Sequence, residues 1–262
     1  MDKKLKVLWW SDMISATGFS QVAQNILKRL NATGKYDFDI VAINYGGDPF
    51  DRQEYPYTVY PAIVPLSNDP FYRDVYGRGR ATFLAGTGLY DIMFILNDTF
   101  ILQTVLPRIL EARSKLPKER QFPIIFYTPI DGTPKKSWIT DVVEKVEFPV
   151  TYTKYALNEM KKHNPNLDIP YIYHGIDKKD FYPLPDNERK EFRKKFFGEH
   201  ADKYIVLNVS RNQPRKDLIR TLQAFKVFHD KNPDSFLFLL CNHSVQFLFI
   251  LHILIVIILL WL

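Results

Sequence analysis

Several residues in this chain are of types, and at spacings, that do chemistry. Arg211, Arg215 and Lys216 sit in a basic loop, Ser210 to Asp217, between an apolar run and the start of a helical pattern at Leu218. Fixed cations at a strand-to-helix junction suit an anionic ligand, because the helix N-terminus adds N–H groups and a favourable dipole. A solvated basic loop is the ordinary alternative. Gly18 stands in a small-residue loop, Ser15 to Gly18, before a second helical pattern. Lacking a side chain, it lets backbone approach a phosphate or a sugar, or it is simply a turn. That loop lacks the full G-x-G-x-x-G spacing, which argues against a dinucleotide site. Asp131 follows an apolar run, at the edge where open α/β sheets bind ligands, although Asp131-Gly132 is also a strong turn pair. Lys135 and Lys136 could meet an anion, but read better as a solvated helix start. His174 and Asp177 end another apolar run and either touch a ligand or shape a hinge. The six histidines show no H-E-x-x-H spacing and Cys241 is the only cysteine. No metal, no cofactor and no disulfide are expected.

These residues need a scaffold, and the hydrophobic pattern supplies one. Leu5 to Trp10 reads as a buried parallel strand. Phe19, Val22, Ala23, Ile26, Leu27 and Leu30 recur at helical spacing, and Asp39 to Ile43 is a second strand. This strand–loop–helix–strand unit begins a doubly wound α/β fold. Asn44 to Pro70 reads as a long loop, and 71–90 as partly helical. Further strands are expected at 91–96, 123–127, 150–153 and 169–173. Helices are expected at 100–114, bent at Pro107, at 134–147 and at 154–163. The Pro-containing stretch after His174 marks a domain boundary. Beyond it come a charged helix at 187–197, a strand at 204–209, a helix at 218–230 and a strand at 236–241. The expected organisation is a first domain over 1–175, a partial second Rossmann-like domain over 176–241 and an apolar tail over 242–262.

Composition sets the class. The 262 residues are 46% hydrophobic, 15% aromatic and 24% charged, a globular balance. The net charge of +6 is spread along the chain, which does not single out nucleic acid. Four Asn-x-Ser/Thr triplets, starting at Asn31, Asn97, Asn208 and Asn242, are read as chance. The apolar run near the N-terminus is too short for a signal peptide, so the expected compartment is the cytoplasm.

Three segments carry a resemblance. Lys6 to Leu30, with Ser15-Ala16-Thr17-Gly18-Phe19-Ser20, resembles the first strand, glycine loop and helix of a GT-B glycosyltransferase. Tyr171-Ile172-Tyr173-His174-Gly175-Ile176-Asp177 is similar to the interdomain segment of the retaining glycosyltransferase family 4 type. Leu207-Asn208-Val209-Ser210-Arg211 with Pro214-Arg215-Lys216-Asp217-Leu218 is similar to its donor loop. The resemblance implies transfer of a sugar from a nucleotide-sugar donor to an acceptor hydroxyl, with retention and without a metal. Arg211 and Lys216 would then hold the donor diphosphate, where fixed cations offset the leaving-group charge. Gly18 would also serve the donor, Asp131 would orient the acceptor as the catalytic carboxylate, and His174 and Asp177 would lie between domains. The pair Asp37-Phe38-Asp39 resembles the metal-binding D-x-D of the other glycosyltransferase fold. It precedes its strand instead of following it, and reads as strand-entry polarity.

The chain also departs from that family. The paired-glutamate motif that holds donor ribose and sugar has no counterpart after Cys241. From Phe247 to Leu262 every residue except His252 is apolar. As a helix that stretch would span roughly 24 Å against a hydrocarbon core of about 30 Å. A truncated or frame-shifted reading frame is one expectation; a tail that contacts a membrane is the other. The alternative function is a non-catalytic or membrane-associated binding module on the same fold.

Overall fold

The computed structural model describes residues 3–63 and 74–242. The tail at 243–262, and with it the membrane-contact expectation, lies outside the described residues. Backbone contacts divide the chain into two compact units, Met1–Gly175 and Ile176–Leu262.

The first unit is an open, fully parallel six-stranded sheet flanked by helices. Its strands are β1 (Leu5–Asp12), β2 (Tyr36–Ile43), β3 (Thr58–Pro61), β4 (Ile92–Leu96), β5 (Ile124–Thr128) and β6 (Phe148–Thr151), in the order β3-β2-β1-β4-β5-β6. The order reverses between β1 and β4, which is the switch point of a doubly wound fold. The helices are α1 (Gly18–Ala32), α2 (Arg78–Ala85), α3 (Thr99–Gln103), α4 (Leu106–Ser114), α5 (Lys136–Thr140) and α6 (Lys154–Lys161).

Side-chain alternation along the central strands feeds two cores, as a sheet covered on both faces requires. Leu8, Trp10, Val41 and Ile43 pack with Ala81, Leu84, Leu106 and Ile109 on one face. Val7, Trp9, Ile40 and Ala42 pack with Ala23 and Leu27 of α1 on the other. Trp9 stacks on Phe94 with ring centroids 4.0 Å apart. A third cluster, including Ile139, Val143, Ala156 and Met160, seats α5 and α6.

Four expectations change. The long segment after Asn44 contains β3, a half-exposed edge strand. The helix expected at 100–114 breaks at Thr104–Val105, and Pro107 falls in the first turn of α4, where proline is tolerated. The helix expected at 134–147 stops at Thr140, because Val142 and Val143 turn into two different cores. The strand expected at 169–173 is a single bridge, Thr151 to Tyr171, since Pro170 has no N–H to extend a ladder.

In the second unit, α7 (Asp186–Phe197), β7 (Tyr204–Arg211), α8 (Leu218–Lys231) and β8 (Ser235–Asn242) follow in order. β7 and β8 pair in parallel along their whole length, with α8 as the crossover. Phe197 and His200 pack on Phe236, and Phe197 also meets Phe238. Leu207, Val209, Ile219 and Val227 are exposed. Among the described residues, no helix is long and apolar enough to cross a membrane.

Candidate functional site

The strands of the first sheet all point their carboxyl ends to one edge. The pairing register sets what lies there. Trp10 pairs with Ile95, Leu96 with Tyr127, and Thr128 with Thr151. Continuing that register puts Asp12, Asn97, Thr128 and Thr151 on one level across β1, β4, β5 and β6. All four are buried, Asp12 at 6% and Asn97 at 3% exposure. One residue further on stand Asp98 and Tyr152.

Asp12 ties the edge together. Its carboxylate accepts from the Thr17 hydroxyl at 2.5 Å and from Asn44 Nδ2 at 3.2 Å. Thr17 in turn caps α1 by accepting from the Ser20 amide. The β1–α1 loop is under strain: Ile14, a β-branched residue, holds φ at 61°, and Asn44 at the end of β2 does the same. Such backbone costs on the order of 1–3 kcal/mol per residue and collects at functional sites.

Asp98 precedes α3 at the N-cap position, yet its side chain makes no capping hydrogen bond. Burial, then the charges of Asp131 and Asp12, push its carboxyl up to about 6. Burial beside like charge is a setting in which functional carboxyls are found, and structural ones too. Three polar atoms at this edge are buried with no hydrogen-bond partner among the described residues: Ser15 Oγ, Asn97 Nδ2 and Tyr152 Oη. Tyr152 also packs on Tyr127 and His174, and burial raises its hydroxyl pKa well above normal.

The residues expected from sequence take these places. Gly18 is the first residue of α1 at the same edge, and nothing lies within 4 Å of where its Cβ would be. Asp131 is exposed in the loop after β5, close enough for its charge to be felt at Asp98. Lys135 and Lys136 are exposed at the start of α5. His174 closes the first unit and helps line an apolar cavity of about 520 Å³ with Ile26, Phe94, Ile125, Val150 and Ile172. Desolvation there pulls its imidazole pKa down. Asp177 opens the second unit and receives the Lys179 amide in a turn. Arg211 ends β7, and Lys216 lies in the short turn Pro214–Lys216 before α8. Asp217, in left-handed backbone, caps α8 by accepting from the Arg220 amide at 3.1 Å.

Asp37 and Asp39 lie at the opposite, amino end of β2. Lys6 Nζ approaches Asp37 at 3.2 Å and Asp39 at 3.4 Å, and the Tyr90 hydroxyl donates to Asp39 at 2.9 Å. They hold strand entry together. Asp12, Asp98 and Tyr152 were not singled out from sequence, and Asn97 only as the start of an Asn-x-Ser/Thr triplet. The signal was present, because each apolar run ends in a polar residue that folding then buries.

No family model matches the chain, and no curated protein does. Solved structures do. HepE of Anabaena, in a crystal structure with UDP and glucose, superposes with a TM-score of 0.58 at 12% identity, over 90% of this chain and 60% of that one. A HepE complex with UDP-glucose gives 0.57 at 13% identity, with the same coverage. The lipopolysaccharide outer core galactosyltransferase WaaB, in its apo form, gives 0.51 at 12% identity, over 90% of this chain and 68% of that one. The chain has a GT-B-like fold. It spans about 60% of the length of these two HepE chains. In GT-B-like terms, the first unit is a doubly wound domain, and the described part of the second holds α7 and one parallel strand pair with its crossover helix.

Proposed function

We propose that the chain is a nucleotide-sugar-dependent glycosyltransferase, or the corresponding part of one, of the retaining family 4 type. The observation that carries this reading is the basic turn between β7 and α8, on a fold whose solved relatives hold UDP and UDP-glucose. Arg211 and Lys216 flank that turn, at the N-terminus of a 14-residue helix. Their charges and the helix dipole favour a diphosphate, and favour it more as it departs and gains charge. Gly18 leaves room for the donor at the carboxyl edge of the first sheet, and Asp131 orients the acceptor. The first unit takes the acceptor side and the second the donor side.

The transfer breaks the bond from the sugar's anomeric carbon to the diphosphate oxygen, which keeps the electron pair. The acceptor oxygen bonds to the same face of that carbon, and its proton passes to the departing phosphate oxygen. UDP added to the labelled chain should shift amide resonances within 210–218. Arg211→Ala should weaken that binding about tenfold or more, as loss of a charge-assisted contact does. Equal UDP affinity in that variant would remove the donor assignment.

A further inference from the structure

The two faces of β4 and β5 are covered differently. Met93 and Ile95 of β4, with Ile124 and Phe126 of β5, point to the α2–α4 layer and are fully buried. Their chain neighbours Phe94 and Ile125 point to the other face and are only partly buried. A central parallel strand ordinarily buries both faces. Phe94 and Ile125 instead floor the apolar cavity, together with Val150 of β6. Val22, Ile26 and Leu30 of α1 form one wall, and 172–175 forms another. The Tyr127 hydroxyl donates to the Ile172 carbonyl at 2.5 Å and fixes that second wall. Ile172 and Tyr173 are more than half exposed, so the cavity has a mouth. All of these residues belong to the first unit.

Size and charge define what fits. Packed interiors leave few voids larger than a water molecule, whose share of liquid volume is about 30 Å³. At about 520 Å³ the cavity falls among small-molecule sites, which run from about 300 to 1,000 Å³. Its α1 wall from Gln21 to Leu30 is about 14 Å long. Its floor from β4 to β6 crosses two strand spacings, about 10 Å. An extended hydrocarbon chain is narrower than that footprint, whereas a plane of joined rings covers it. Phe94, Tyr127 and Tyr173 offer ring faces and edges to such a plane. Among the described residues that line the cavity, none is Asp, Glu, Lys or Arg. A charged ligand would therefore be desolvated without a partner. His174 is itself held toward its neutral form by desolvation. Gln21 and His174 remain able to hydrogen-bond one polar substituent.

We propose that this cavity binds an uncharged, flat, multi-ring small molecule, held between α1 and the exposed face of β4, β5 and β6. The site lies on the face of the sheet and not at its carboxyl edge. It is separate from the donor and acceptor positions of the transferase reading, and the inference does not use that reading.

The test is a nuclear magnetic resonance titration of the full chain, labelled at its isoleucine methyls, with the neutral dye N-phenyl-1-naphthylamine. Saturable binding should shift the methyls of Ile26, Ile125 and Ile172, while those of Ile95 and Ile109 in the opposite core stay in place. The anionic dye 1-anilinonaphthalene-8-sulfonate carries the same rings with a sulfonate, and should bind at least about tenfold more weakly at these methyls. Decanol, a chain without rings, should also bind there more weakly than the neutral dye. Val150→Trp fills the cavity from the sheet, and Val22→Phe fills it from α1. Each should weaken the neutral dye about tenfold or more, with the Ile95 and Ile109 signals as the check that the variant is folded. The proposal is overturned by unmoved Ile26, Ile125 and Ile172 methyls in the unmodified chain, or by a sulfonated dye or decanol that binds there as tightly. Full-strength dye binding in a folded Val150→Trp chain overturns it as well.

Discussion

The two ends of the central strands handle charge in opposite ways. At the amino end Lys6, Asp37, Asp39 and Asp91 are all partnered. Lys6 meets Asp37 and Asp39, Tyr90 donates to Asp39, and the Lys6 amide donates to the Asp91 carboxylate at 2.7 Å. These contacts join β1, β2 and the residues leading into β4. At the carboxyl end, Asp98 caps nothing, and Asn97 and Tyr152 bury polar atoms without partners among the described residues. Folded chains rarely leave such groups unmet. The amino end is closed by its own contacts, whereas the carboxyl end leaves polar groups without protein partners among the described residues. Local rules fail at the edge beside the switch point, where open α/β sheets generally bind ligands.

Substitutions at the two ends should therefore differ in sign. The largest effect belongs to the closed end. Asp39→Ala leaves the Tyr90 hydroxyl and part of Lys6 without their partner, and should cost about 3 kcal/mol in urea unfolding at pH 7.5. The next effect is opposite in direction. The Asp98 carboxyl is raised in the folded state, from 3.8 to about 6. The folded chain then binds the extra proton between those values, so the stabilising contribution is full below about 4 and is lost as pH rises through 6. Asp98→Asn removes that loss. It should stabilise the chain by about 1–2 kcal/mol at pH 7.5, after discounting for partial exposure, and by almost nothing at pH 4. A destabilised Asp98→Asn at pH 7.5 would erase the contrast between the ends. Asp37→Ala, at an exposed bridge, should cost only about 0.5 kcal/mol. Smallest of all, Gly18→Ala enters open space at the start of α1 and should change stability by less than about 0.5 kcal/mol. A fall in donor binding in that variant would then report on the ligand and not on folding.

Much of the doubly wound fold was legible because long apolar runs such as Leu5–Trp10 bury both faces of a strand. What escaped was set by distant partners. β3 is four half-exposed residues ending in Pro61, and only its pairing with β2 makes it a strand. Val142 and Val143 look like part of a helix until two separate cores claim them. The basic loop and Asp131 were visible as local patterns. Asp98 was not, because its importance comes from Asp12 and Asp131, which adjoin it only once β4 inserts between β1 and β5. The polar ends of the strands become a row through register, and register is a property of the whole sheet.

Trp9 and Trp10 are adjacent in the chain, fully buried, and on opposite faces of β1. One indole donates to Ser11 Oγ within its own strand, and the other to the Tyr76 carbonyl from the far layer. The central strand thus carries two native optical reporters, one for each helical layer. Replacing Trp9 or Trp10 in turn by phenylalanine, in a chain whose other two tryptophans, Trp138 and Trp261, are also phenylalanine, leaves emission that follows one layer at a time. The α1 layer and the α2–α4 layer can then be watched separately as the protein opens, without attaching a dye.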